Sequence, residues 1–209
     1  MRLTKYSHAC VRLERDGAVL VIDPGTLSER AALDGVDAVL VTHEHFDHLD
    51  VEKLTAAREK RPDLRIFTHP EVAPKLGELA GAVTEVQPGD DFEAAGFAVR
   101  TYGGLHAVIH SDVPRIANVG FFIEGVYHPG DSYDVPTDAE VETLLVPVSA
   151  PWSKLAEAVE FVRQVAPGRV HPIHDGLLND VGVAVFDRLI GDLSGRDYVR
   201  LGAGEAVTL

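Results

Sequence analysis

Residues 38–50 read AVLVTHEHFDHLD, an apolar run that ends in His43, His45, Asp47 and His48. In an extended chain alternate side chains share a face, so His43 and His45 can point the same way and grip one cation. Past them the chain turns and the alternation ends, which lets Asp47 and His48 face a second cation close to the first. Four donors within six residues make a rigid metal platform. The chain has one cysteine, Cys10, far from these residues. An internal disulfide, a CxxC zinc knuckle and a four-cysteine iron–sulfur cluster are therefore excluded, and a metal must be held by His and carboxylate.

The platform needs a strand before it and a helix after it, and the pattern supplies both. Short strands are expected at Arg2–Ser7, Cys10–Arg15, Val19–Ile22 and Ala38–Thr42, with turns at Asp16-Gly17 and Pro24-Gly25. Asp50 is placed to cap a helix over Val51–Lys60, which must end before Pro62. A second helix is expected over Pro70–Ala80. Strands follow at Phe97–Tyr102, Asn118–Glu124 and Thr143–Val148, then an amphipathic helix over Trp152–Val165, a strand at Gly168–Ile173 and a helix over Val183–Leu193. Strand-rich stretches separated by helices in both halves imply layered α/β packing. No Gly/Ser-rich or charged linker divides the 209 residues, so the expectation is one domain over 1–209.

With 45% hydrophobic and 25% charged residues the chain is of ordinary globular composition, which excludes disordered and collagen-like classes. Its 19 Lys and Arg against 33 Asp and Glu leave a net charge of -14. With no long basic run to offset it, nucleic acid and anionic membranes are excluded as expected partners. No stretch of 18 apolar residues occurs and the N-terminal segment mixes charge into its apolar positions, so the expected location is the cytoplasm. The helix faces are no more apolar than an ordinary core requires, and no oligomeric state follows from them.

The segment HEHFDH resembles the HxHxDH signature of the metallo-β-lactamase fold superfamily. Further elements fall in that family's order: Asp23 in VIDPG, His106 after a strand, Asp131 in HPGDS and His174 in HPIHDG. The opening KYSHACVRLERDGAVLVIDPG and the later GDS are similar to the compact branch that includes ascorbate-6-phosphate lactonase-like proteins. The resemblance implies a four-layer αββα sandwich with two metals at one edge of the sheets. It implies His43, His45 and His106 on the first metal and Asp47, His48 and His174 on the second. Asp131 would bridge them, and turnover would depend on Asp47 and Asp131. No ligand cysteine, long RNA-processing insertion or added helical domain is present, which argues against the corresponding substrate classes.

Other residues are open between two readings. His106 and His110 compete for one ligand position, and the Gly103-Gly104 pair before His106, where the chain is expected to leave its strand, favours His106. Otherwise His110 lines the substrate pocket, donates a proton or is a loop histidine. His174 is favoured over His171 because PIHDG has the family form. His8 is either near the metal site or a buried core histidine, and Asp23 either orients a metal-binding histidine through its second ring nitrogen or sits in a turn. Arg115 either receives an anionic substrate or forms a surface ion pair. Trp152 either walls the pocket or packs in the core. His69 and His128 are expected not to be ligands.

The expected activity is that of a binuclear hydrolase acting on a small ester, lactone or phosphoester, with two divalent cations. Zinc is the first expectation, with manganese or iron as alternatives. The ions would bring a shared water from a pKa of about 15.7 toward neutrality, so that hydroxide attacks and no Ser or Cys nucleophile is needed. An iron-dependent redox protein and a non-catalytic metal-binding module on the same fold are the rival expectations.

Overall fold

A computed structural model describes residues 1–209. Two seven-stranded sheets face each other across a shared apolar core. The first is built from β1 (Arg2–Lys5), β2 (Val11–Arg15), β3 (Ala18–Ile22), β4 (Ala38–Val41), β5 (Arg65–Thr68) and β6 (Val83–Glu85), in that order. It is closed at its β1 edge by β14 (Ala206–Thr208), from the far end of the chain. The second sheet holds β7 (Asp91–Ala94), β8 (Phe97–Leu105), β9 (Ala117–Ile123), β10 (Val126–His128), β11 (Thr143–Pro147), β12 (Arg169–Ile173) and β13 (Asp197–Tyr198), again in chain order.

The four layers follow from where successive side chains point. In β4, Ala38 and Leu40 enter the core between the sheets, while Val39 and Val41 enter a second core on the outer side. A parallel strand covered on both faces is apolar throughout, which explains the unbroken AVLV run. The outer core of the first sheet is capped by α1 (Val51–Lys60) through Leu54 and Ala57. On the second sheet, α2 (Leu155–Val165) and α3 (Asp180–Ser194) bury Val159, Val162 and Ile190 against Leu144, Val146 and Val170. This is the αββα sandwich expected. No helix is long and apolar enough to cross a membrane.

The local signals for α1 hold in detail. The Asp50 carboxylate accepts the Lys53 backbone N–H at 3.0 Å and starts the helix where the capping rule places it. The buried Lys53 ammonium donates to the carbonyls of Gly25 and Ser28, both at 2.6 Å, and so fastens α1 to the loop after β3. That loop passes so close to the 45–48 segment that a Cβ on Gly25 would lie 2.0 Å from the carbonyl carbon and oxygen of Asp47. Gly25→Ala is therefore expected to displace the HEHFDH loop, at a cost of about 3 kcal/mol or more. Thermal melts together with zinc titration check this, and a variant equal to wild type in both contradicts it.

Three expectations are corrected. Pro70–Ala80 is not an α-helix: Ala73–Ala82 forms 3-10 turns interrupted at Gly77, whose φ of 49° and ψ of -112° are not helical. Leu76, Leu79 and Ala82 are buried there at the three-residue spacing that brings side chains into line in a 3-10 turn. Trp152 does not open α2, which begins at Leu155. The strand before His106 does not end ahead of the glycine pair: Gly103, Gly104 and Leu105 pair with Val119, Asn118 and Ala117. Both glycines have positive φ (81° and 141°), a backbone glycine tolerates while the ladder continues. No strand was expected at β5, β6, β7, β10, β13 or β14, which are two to four residues long.

A candidate metal centre at the strand ends

The C-terminal ends of β3, β4, β10 and β12 converge on one edge of the sandwich. β3 leads to Asp23, β4 to Thr42 and His43, β10 to Asp131 and β12 to His174. His106 arrives from the end of β8, and His8 from the turn between β1 and β2. Asp23, His8 and His174 have φ of 49°, 61° and 56°, left-handed conformations that cost non-glycine residues of order 1–3 kcal/mol each. Surrounding hydrogen bonds hold them there.

Two groups of potential donors result: His43, His45, His106 and Asp131 in one, and His8, Asp47, His48 and His174 in the other. Within each, the ligand atoms lie within 4.8 Å of one another. Asp131 stands between the groups. Its Oδ1 is 3.1 Å from His48 Nε2, and its Oδ2 is 3.3 Å from His106 Nε2 and 3.2 Å from His174 Nε2.

Whether such residues fit a metal depends on which ring nitrogen is free. Nδ1 of His48 faces Asp23 Oδ2 at 2.7 Å, that of His106 the Ala107 carbonyl at 2.6 Å, and that of His174 the Ser149 carbonyl at 2.7 Å. The Nδ1 of His43 faces Thr42 Oγ1 at 2.9 Å, and that hydroxyl donates to Asp23 Oδ2 at 2.7 Å. All four partners accept, so each Nδ1 keeps a proton and Nε2 is the nitrogen left to face a metal. Those four Nε2 atoms, with Asp131 Oδ1, are buried and have no hydrogen-bond partner. Buried polar atoms are rarely left unpaired, and five of them converging on two clusters fit cations.

The charges agree. Burial opposes protonation of His48, yet Asp131 and Asp23 overcome it and push its pKa well above the ordinary value. His174 behaves alike: burial is outweighed by Asp131 and Asp47, and its pKa is pushed up to about 9. Burial would raise Asp131, but His48, His106 and His174 hold its carboxyl well below the usual range. Burial, aided by His48, keeps His43 well below the ordinary imidazole value. Without metal the acidic residues are thus neutralised by protons on His48 and His174.

A pH dependence follows. The folded-state pKa of His174 lies above its ordinary 6.5, so its contribution to the stability of the metal-free protein is complete below about pH 6.5. It is lost as pH rises through 9. Melting temperatures of chelator-treated protein should fall over that window, and zinc binding below pH 9 should release protons. Calorimetric zinc titrations in two buffers of different ionisation enthalpy measure the release. No release, with a flat stability profile, contradicts this account.

The remaining candidates divide. Trp152 is buried and its indole Nε1–H donates to Asp131 Oδ2 at 2.8 Å. Arg115 donates from Nε to the His106 carbonyl at 2.7 Å. Both line a cavity of about 580 Å³ with Leu105, Val108, Tyr133 and Lys154. Arg115 is thus at the cavity, and its expected alternative as a surface ion pair is not what the structure shows. His110 is not brought to the cluster: its side chain is 65% exposed and its Nδ1 accepts the Asp112 N–H. His171 is buried elsewhere against the Val199 carbonyl, and His69 accepts the Glu71 N–H. His128 donates from Nε2 to the Ala9 carbonyl, because its Nδ1 accepts the Gly130 N–H.

Thr42 and Asn118 escaped sequence reasoning. Asn118 is fully buried in β9, accepts the Asp131 N–H at 3.0 Å and donates to the Pro129 carbonyl, so it shapes the turn that presents Asp131. An amide inside the apolar run ANVGFFI was the available signal.

An αββα sandwich with two His/Asp groups at one sheet edge is the metallo-β-lactamase fold. Residues 2–174 match the family described as the beta-lactamase superfamily domain, and the chain belongs to it. The Mycobacterium tuberculosis protein Rv0786c is 35% identical over 215 residues spanning 100% of both chains. A Methanopyrus kandleri protein named as a UPF0173 metal-dependent hydrolase is 30% identical over 198 residues, covering 84% of each. Among solved structures, Igni18, described as a metallo hydrolase of Ignicoccus hospitalis, superimposes with a TM-score of 0.78 at 20% identity, covering 100% of this chain and 97% of that one.

Proposed function

We propose that this chain is a binuclear metal-dependent hydrolase of small ester, lactone or phosphoester substrates, with zinc as the first choice of metal. The five unpartnered buried donor atoms in two adjacent groups carry this reading. The name of the Methanopyrus kandleri relative supports its hydrolytic part. His43, His45 and His106 would hold one cation and Asp47, His48 and His174 the other, with Asp131 shared. Imidazole and carboxylate donors suit zinc, and also manganese or iron. Bound there, the cations would supply the activation of water and the neutralisation of charge on the acyl or phosphoryl oxygen.

The rest is done by side chains of the chain itself. Asp23 fixes the His48 ring directly and the His43 ring through Thr42. Trp152 holds one oxygen of Asp131 and also walls the cavity, so the substrate would lie against the group that positions the shared carboxylate. A cavity of about 580 Å³ falls within the roughly 300–1,000 Å³ of small-molecule sites. Its lining combines Leu105, Val108 and Tyr133 with Arg115 and Lys154, which suits a compact substrate with an apolar part and an anionic group.

Metal content per chain, measured by plasma mass spectrometry on untagged protein never exposed to chelator, is the first test. About two zinc or manganese ions, with metal-dependent turnover in a panel of lactones, phosphodiesters and carboxylic esters, is the expected result. Iron with a reducible visible spectrum would favour redox chemistry instead. No metal after reconstitution would overturn the proposal.

A further inference from the structure

His8 lies in the same donor group as Asp47, His48 and His174, at distances a ligand would show. Its hydrogen bonds run the other way round. The Gly176 backbone N–H donates to His8 Nδ1 at 3.1 Å, so that nitrogen carries no proton. The proton of the neutral ring is then on Nε2, the atom that lies 3.0 Å from Asp47 Oδ2. In His43, His48, His106 and His174 the Nδ1 atom faces an acceptor and Nε2 has no hydrogen-bond partner. Four histidines therefore turn toward the centre the nitrogen a cation can take, whereas His8 turns an N–H held by Asp47.

We propose that His8 is not a metal ligand but the positioning residue of Asp47: its Nε2–H holds Oδ2 and so orients the carboxylate toward the cation that His48 and His174 would share. The proposal rests on the metal reading above. Three further observations support it. The His8 side chain is 1% exposed, so water does not replace Asp47 as its partner. Its backbone carbonyl accepts the His174 N–H at 3.1 Å, so one residue binds the turn after β1, the Asp47 loop and the loop after β12. A Cβ on Gly176 would lie 2.9 Å from His8 Nδ1, which keeps that position open for the N–H that sets the ring's proton.

The test is nitrogen NMR of protein labelled with 15N-histidine, before and after zinc is added to chelator-treated protein. His8 is expected to show a protonated Nε2 and a bare Nδ1 in both states, while the Nε2 signals of His48 and His174 move on zinc binding. Loss of the His8 Nε2 proton with zinc, alongside those movements, makes His8 a ligand and overturns this proposal alone. Zinc that moves no histidine nitrogen overturns the metal reading, and the role of His8 with it.

Zinc affinity of two variants gives a second readout. His8→Ala is expected to weaken the second zinc by about 10–100-fold, the usual effect of removing a group that orients a ligand. His8→Gln keeps an N–H donor near the position of Nε2 and is expected to recover most of that loss. Equal losses in both variants overturn the proposal, since a glutamine amide can replace a donor but is a poor substitute for an imidazole ligand.

Discussion

Asp131→Ala is expected, on the binuclear reading proposed above, to lose one of two metals and to lower turnover by on the order of 10³-fold or more, since a shared carboxylate would neutralise both cations. The physical basis is the position of one buried side chain among His48, His106 and His174, all within 3.3 Å. Removing it takes away the one carboxylate that all three imidazoles face, leaving His48 only Asp23 and His174 only Asp47, and strands the buried Trp152 N–H that donates to Oδ2. Asp131→Asn tests charge apart from volume: it fills the space but brings no negative charge and can accept from Trp152 through one oxygen only. It is expected to bind metal nearly as poorly as the alanine variant. His69→Ala, away from the centre, should change neither metal content nor turnover. An Asp131→Ala protein with two metals and full activity would remove Asp131 from the centre.

The largest effect on stability is expected at Asp23, which has no exposed surface. Its carboxylate accepts the Thr42 N–H at 2.8 Å, the Thr42 hydroxyl at 2.7 Å and the His48 Nδ1–H at 2.7 Å. Asp23→Ala leaves those buried donors unpaired, for which about 3–5 kcal/mol is expected. In a chain of this size that lowers the melting temperature by on the order of 10 °C. Zinc affinity should fall about 10–100-fold as well, because the His48 ring loses its acceptor and the Thr42 hydroxyl that holds the His43 ring loses the carboxylate that orients it. Asp23→Asn sharpens the point. An amide N–H₂ facing His48 sets donor against donor, which the ring relieves by moving its proton to Nε2, the atom that must stay bare. Urea unfolding of the metal-free variants and zinc titration measure the two effects separately. A destabilisation below about 1 kcal/mol with wild-type zinc affinity would show that Asp23 does not orient these rings.

Much of the centre was legible because four of its residues lie within His43–His48, behind a strand and ahead of a helix whose signals are local. An AVLV run buried on both faces and an Asp50 cap need no knowledge of the rest of the chain. His106 and His110 were harder to separate. Both follow a glycine pair within eight residues, and what distinguishes them is that the strand continues to Leu105, pairs with Ala117 and releases the chain at the centre. His110 lies farther along the loop, in solvent. Over Pro70–Ala80 the chain forms 3-10 turns broken at Gly77, with Leu76, Leu79 and Ala82 buried at three-residue spacing, where a helix was expected.

The types of donor on offer, the single cysteine lying outside them and the platform of His43, His45, Asp47 and His48 are all read from the chain order alone. These depend on residue identity and on backbone periodicity over a few residues. For His48, His174 and His8 the fold decided which nitrogen carries a proton. That choice is made by the group opposite each Nδ1: the Asp23 carboxylate accepts from His48, 25 residues away, the Ser149 carbonyl accepts from His174, also 25 away, and the Gly176 N–H donates to His8, 168 away. Such partners meet only because the order of strands in two sheets brings several strand ends to one edge. A hydrogen bond depends on distance in space, and separation along the chain carries no record of it.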